Sequence, residues 1–156
     1  MIRVLEEPSP LIYPRAGNVQ RFALYDPDFV TIPFEVHDAY FAPTQHKVWT
    51  SAATGRRLKN PRIEHTPGSR PGTLAWIDWH LLGPDALYIN FMKTRRDWHR
   101  QGIARGLVDE FYTHMVEGRG IKLIHWGKVV HPGAWRLYET MRARYPNVQH
   151  LGHRDF

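Results

Sequence analysis

The spacing of apolar residues changes period partway along this chain. Thr73–Leu81 reads TLAWIDWHL, aromatic and aliphatic with strand character. Gly83-Pro84-Asp85 is a turn signal. Ala86–Thr94 follows as ALYINFMKT, where Leu87, Ile89 and Phe91 alternate with Tyr88, Asn90 and Met92. Strand patterns on both sides of a turn predict a β-hairpin. Ile103, Leu107, Phe111 and Met115 then recur at four-residue steps, with Ala104 and Val108 beside them. That is one face of an α-helix, and Gly118 and Gly120 mark its end. Residues 121–130, IKLIHWGKVV, read as a buried strand. His131-Pro132 opens a second helix, with Pro in the first turn. Ala134, Leu137, Tyr138 and Met141 stripe it, and Pro146 ends it. The last ten residues allow a final strand.

The pattern is weaker before residue 73. Pro8, Pro10, Pro14, Pro27, Pro33 and Pro43 punctuate residues 1–46. Short strands are expected near Ile2–Leu5 and at Gln20–Tyr25. Phe34–Phe41 reads as a short helix or a loop. Lys47–Ala53 has strand character, Gly55 suits a turn, and KNPRIEHTPGSRPG (59–72) reads as a basic loop. The whole implies an α/β (α+β) fold: a mixed, mostly antiparallel sheet with helices packed on it. Residues 86–130 should form a right-handed parallel crossover.

Composition narrows the function classes. A length of 156 residues favours one domain, 1–156, and the six Trp, seven Tyr and seven Phe argue against disorder. No apolar run approaches the roughly 18 residues that span a bilayer, and MIRVLEEPSP lacks the apolar stretch of a signal peptide. A cytoplasmic protein without membrane contact is therefore expected. The chain has no Cys, which excludes disulfides, thiolate catalysis and Cys-ligated zinc. The ten His show no metal-binding spacing, so no metal is expected. A net charge of +6 favours anionic partners such as nucleic acid or a phosphorylated cofactor.

The stretch WHRQGIARG (98–106) carries the candidate chemistry. A helix start leaves four N–H groups without internal partners and carries about half a positive charge. Gly102 lets a phosphate approach the backbone, and Arg95, Arg96, His99 and Arg100 add charge. Neither a GxGxxG nor a GxxxxGK turn is present. His99-Arg100-Gln101-Gly102-Ile103-Ala104 instead resembles the Arg/Gln-x-x-Gly-x-Gly/Ala turn of the GNAT superfamily of acyl-CoA-dependent N-acetyltransferases. HPGAWRLYE (131–139) resembles that family's Asn-x-x-Ala-x-x-Leu-Tyr-Glu. His99 and His131 depart from the family's first residue in each pattern. The resemblance covers residues 73–145, the acyl-CoA-binding half. Residues 1–72, the acceptor side, lack the two helices usual after the family's first strand.

The resemblance implies acetyl transfer from acetyl-CoA, as cosubstrate, to a primary amine. It places the pantetheine arm along the backbone of Met92 and Thr94. The diphosphate falls on His99, Arg100, Gln101, Gly102, Ile103 and Ala104, with His131 added to the cofactor-binding set. Tyr138 matches the family's general acid towards the departing thiolate. The fourth strand here lacks the carboxylate that many members use as base. Asp78 is the expected substitute: a turn about Pro84 puts it opposite Asn90, and His80 opposite Tyr88. An ordered water is the alternative relay. Two further readings stay open. One is a nucleic-acid-modifying protein (phage Mom-like) or nucleic-acid-binding protein, using Arg56, Arg57, Lys59, Arg62 and Arg70 of the basic region 56–70. The other is a CoA-binding module without catalysis. The sequence names neither the amine acceptor nor the oligomeric state.

Overall fold

A computed structural model describes residues 2–26, 73–94 and 102–156 with their side chains, and the backbone of 34–41, 44–51 and 57–58. It is a mixed α/β fold. Among the described residues nine strands form: β1 (Arg3–Pro8), β2 (Gln20–Tyr25), β3 (Phe34–Phe41), β4 (Thr44–Ser51), β5 (Arg57–Leu58), β6 (Thr73–Gly83), β7 (Ala86–Thr94), β8 (Leu123–Val129) and β9 (Gln149–Arg154). The α-helices among them are α1 (Ile103–Tyr112), extended by a π-helical turn over Thr113–Gly118, and α2 (Pro132–Arg144). One sheet has six strands in the order β1-β2-β6-β7-β8-β9; a separate three-stranded sheet holds β3-β4-β5. In the large sheet the first three pairings are antiparallel, and β7-β8 and β8-β9 are parallel.

The hairpin and both helices form where the periodicity predicts them. Phe34–Phe41 is a strand, not a helix or loop, paired from Phe34↔Ser51 to Phe41↔Thr44. Gly55 and residues 59–72 lie outside the described residues.

Of the stripe expected of α1, Leu107, Val108, Phe111 and Met115 are buried and Ile103 and Ala104 half-buried; Tyr112 is buried beside them. Trp126 of β8 donates its indole N–H to the Tyr112 hydroxyl of α1 (2.9 Å) and meets the Tyr138 ring of α2 at 5.6 Å. Both helices therefore lie on one face of the large sheet, over a core that includes Phe22, Ile77, Trp79, Leu87, Ile89 and Ile124. His150 stacks on Tyr112 at 5.7 Å, with its Nε2 2.9 Å from the hydroxyl and its Nδ1 3.0 Å from the Val148 carbonyl. A carbonyl only accepts, so Nδ1 carries the proton and Nε2 accepts from Tyr112. Burial holds the His150 pKa below its ordinary value and raises that of Tyr112, which favours this neutral pair.

Residues 77, 79, 87 and 89 face α1 and α2, so alternation sends Asp78, His80 and Tyr88 to the opposite face. Asp78 is fully buried there. Arg21, its partner across β2 and β6, donates to it from Nε (2.8 Å) and Nη2 (3.0 Å). Ser9 Oγ (2.8 Å) and Tyr13 OH (2.7 Å) add two more bonds, tying the segment after β1 to the sheet. Burial, then the Asp78 hydrogen bond, raises the Tyr13 pKa and keeps that phenol a donor.

The hairpin register corrects one expectation. His80 does face Tyr88, but Asp78 faces Phe91 rather than Asn90. The register slips between Asp78 and Trp79, and Asn90 is the extra residue of a β-bulge. A second irregularity interrupts β8 between His125 and Lys128, where Gly127 adopts φ +66°. A Cβ there would lie 2.5 Å from the Tyr88 hydroxyl. Gly127→Ala should therefore cost at least about 1–2 kcal/mol in urea denaturation, because the left-handed backbone and the contact act together. Adding Tyr88→Phe should recover part of the loss by removing the clashing oxygen.

Candidate active site

β7 and β8 stay together only briefly. They pair at Ala86↔Leu123, Leu87↔Ile124 and Tyr88↔His125, and no further. β7 continues from Ile89 to Thr94 with β6 as its neighbour, while β8 continues to Val129 beside β9. Among the described residues, no strand pairs with the edge of β7 that β8 leaves. Parallel strands that part in mid-sheet expose backbone donors and acceptors in the gap. Met92 and Thr94 stand at the far end of this stretch of β7. Met92 also packs on the core.

α1 begins beyond the end of β7. Its N-cap, Gly102, has φ +75°, no side chain caps the helix, and its first turn holds no acid. The first helical bond runs from Gly106 N–H to the Gly102 carbonyl (2.8 Å). The N–H groups of Gly102, Ile103, Ala104 and Arg105 are thus without intrahelical acceptors, as at any helix start. His99, Arg100 and Gln101 lie outside the described residues, as do Arg95 and Arg96.

His131 has work of its own. Its backbone is extended, and its Nδ1 accepts from Gly133 N–H at 3.0 Å, capping α2 ahead of Pro132. An imidazole Nδ1 is as many bonds from Cα as an asparagine Oδ1. Histidine therefore serves here as the N-cap acceptor that Asn commonly provides.

Tyr138 is 3% exposed, on the helix side of the sheet, against Trp126 and the Trp135 ring at 4.8 Å. A Cβ on Gly152 would sit 3.0 Å from its ring, so the glycine makes room for it. Asp78 lies on the other face, and the structure does not bring the two together. Four donated bonds reach the buried Asp78 carboxylate, three at Oδ2 and one at Oδ1. Its environment is that of a structural ion pair, with Arg21 as the partner.

The face opposite α1 and α2 holds different chemistry. His80, Tyr88 and His125 are cross-strand neighbours on β6, β7 and β8, all half-buried. Tyr88 lies 5.4 Å from the His80 ring and 4.9 Å from that of His125. His80 Nδ1 is 2.7 Å from Asn90 Oδ1, and His125 Nδ1 accepts from Gly127 N–H at 2.9 Å. The sequence pairs His80 with Tyr88, but reads His125 as structural or surface; only the parallel register of β8 brings it alongside.

Among the described residues, no group of three or more His, Asp and Glu is placed to hold a metal. None of their helices is long and apolar enough to cross a membrane. The basic region 56–70 lies outside the described residues, apart from the backbone of Arg57 and Leu58. Comparison with family models, with curated proteins and with solved structures returns no match.

Proposed function

We propose that this chain is a GNAT-type acyltransferase that moves an acetyl group from acetyl-CoA to a primary amine. The observation that carries the reading is the parting of β7 from β8 after three residue pairs, followed in the chain by a helix that starts on a left-handed glycine without a side-chain cap. The two features suit one ligand. An extended pantetheine arm can bond to the open β7 edge at Met92 and Thr94. A diphosphate diester, with about two negative charges, suits the N–H groups of Gly102, Ile103 and Ala104, to which the motif adds residues 99–101. The resemblance of 99–104 and 131–139 to the family's two motifs supplies the rest. One feature differs from the family's plan of two helices after the first strand: β2 and a three-stranded sheet follow β1 here.

In this reading the amine nitrogen attacks the thioester carbonyl, a C–N bond forms and the C–S bond breaks. The amine nitrogen gives up one proton to water, and the sulfur leaves as a thiolate and takes a proton from the Tyr138 phenol. Tyr138→Phe should lower kcat about 10²-fold, the usual contribution of a positioned acid, and leave the acetyl-CoA Kd within about twofold. Thiol release measures this without background, because the chain has no cysteine of its own. An unchanged kcat would make Tyr138 a core aromatic. Acetyl-CoA binding without turnover on any amine would mark a binding module instead.

A further inference from the structure

The face opposite α1 and α2 carries a second set of groups beside the same gap, and their tautomers follow from their partners. Asn90 Oδ1 only accepts, so His80 Nδ1 carries its proton and Nε2 keeps a free lone pair. His125 Nδ1 accepts from Gly127, so its proton sits on Nε2. One basic nitrogen and one N–H donor therefore flank Tyr88, level with the last β7–β8 pair. The six strands put two carboxylates on this face, Asp78 and Glu7, and the register sets both opposite Arg21. Asp78 is bonded to that guanidinium. Phe91, 43% exposed and the cross-strand partner of Asp78, adds apolar surface.

Resting on the acyltransferase reading, we propose that this face is the acceptor subsite, that His80 is its general base, and that the acceptor is an amine borne on an aromatic or heteroaromatic ring. Three arguments converge on that class. A planar ring can stack on the half-buried row of rings. An alkylammonium would need a counter-charge, and the strands' carboxylates on this face already stand beside Arg21. An alkylammonium holds its proton up to about pH 10.4, so it arrives charged and must be deprotonated before it can attack. An aromatic amine is neutral at pH 7 because its lone pair is delocalised into the ring. It sheds its proton only as the C–N bond forms, when a neutral imidazole suffices. That proton goes to His80 Nε2, and the thiolate is neutralised by Tyr138; N-acetylated arylamine and CoA thiol leave.

The test uses the full chain, acetyl-CoA and four amines: aniline, 2-aminopurine, phenethylamine and spermidine. Aniline and 2-aminopurine should turn over with kcat/KM at least about tenfold above phenethylamine and spermidine. His80→Gln should lower kcat on 2-aminopurine about 10²-fold, leave the acetyl-CoA Kd unchanged and respond to added imidazole. Quenching of 2-aminopurine fluorescence by the wild-type protein reads stacking directly and needs no variant to fold. Preference for the alkyl amines, turnover of none of the four, or a His80→Gln variant with undiminished kcat would overturn the proposal. Wild-type protein that fails to bind acetyl-CoA would overturn the acyltransferase reading itself, a separate result.

Discussion

Asp78→Ala is expected to lower the stability of this fold by about 3–5 kcal/mol, the usual cost of removing one partner from a buried ion pair. The side chain is 0% exposed and Arg21 is 2% exposed, so the orphaned guanidinium would have no water to turn to. Two further donors, Ser9 Oγ and Tyr13 OH, would lose their acceptor at the same time. The guanidinium also sits 4.6 Å from the centre of the Trp76 ring, which restricts any escape. Urea denaturation gives the loss. Limited proteolysis should show that the segment around residues 9–13 becomes cleavable first, because Asp78 is what ties it to the sheet. Asp78→Asn keeps the shape and removes the charge. It should be less destabilising than Asp78→Ala, and its folded fraction should keep its turnover. A folded Asp78→Asn protein without turnover would restore Asp78 as the base.

Gly102→Glu is expected to weaken acetyl-CoA binding by more than about 100-fold, or about 2.7 kcal/mol. The residue has φ +75°, so any side chain costs about 1–2 kcal/mol in backbone strain. Nothing lies within 4 Å of a Cβ built there, so the fold has room for one. The loss of binding would come from a carboxylate placed before the N–H groups meant for the diphosphate. Gly102→Ala separates the two effects. It carries the backbone strain without the charge, and should keep binding within a few-fold. Isothermal titration of both variants, with a thermal melt of each, gives the comparison. Equal losses of affinity in the two would point to a disturbed helix start rather than to a blocked anion site.

The parts of this molecule legible in the sequence are those set by local spacing. β2 at Gln20–Tyr25 and β7 at Ala86–Thr94 have the expected bounds, and α1 buries the stripe read from its four-residue steps. The β3 segment, FEVHDAYF, was open to another reading because its apolar residues fit no single period. Pairing with Thr44–Ser51 makes it a strand, and pairing is not local information. The site divides the same way. A charged residue within an apolar strand marks Asp78 for attention, but Arg21 lies 57 residues away and only the sheet brings them together. One bulged residue, Asn90, moves the partner of Asp78 from Asn90 to Phe91. That same bulge leaves Asn90 bonded to His80. His131 looks like a departure from a motif until its Nδ1 is seen capping Gly133 N–H. Periodicity thus locates the elements, while registers and bulges decide which side chains meet.

The central claim is that acyl-CoA occupies the gap where β7 and β8 part. A crystal structure of the chain grown with saturating acetyl-CoA tests it most directly. The expected result has the pantetheine arm bonded to the backbone of Met92 and Thr94, and the diphosphate on the N–H groups of Gly102, Ile103 and Ala104. The sulfur should lie within hydrogen-bonding reach of the Tyr138 hydroxyl. A coenzyme bound elsewhere, or a gap left empty at that concentration, would contradict it.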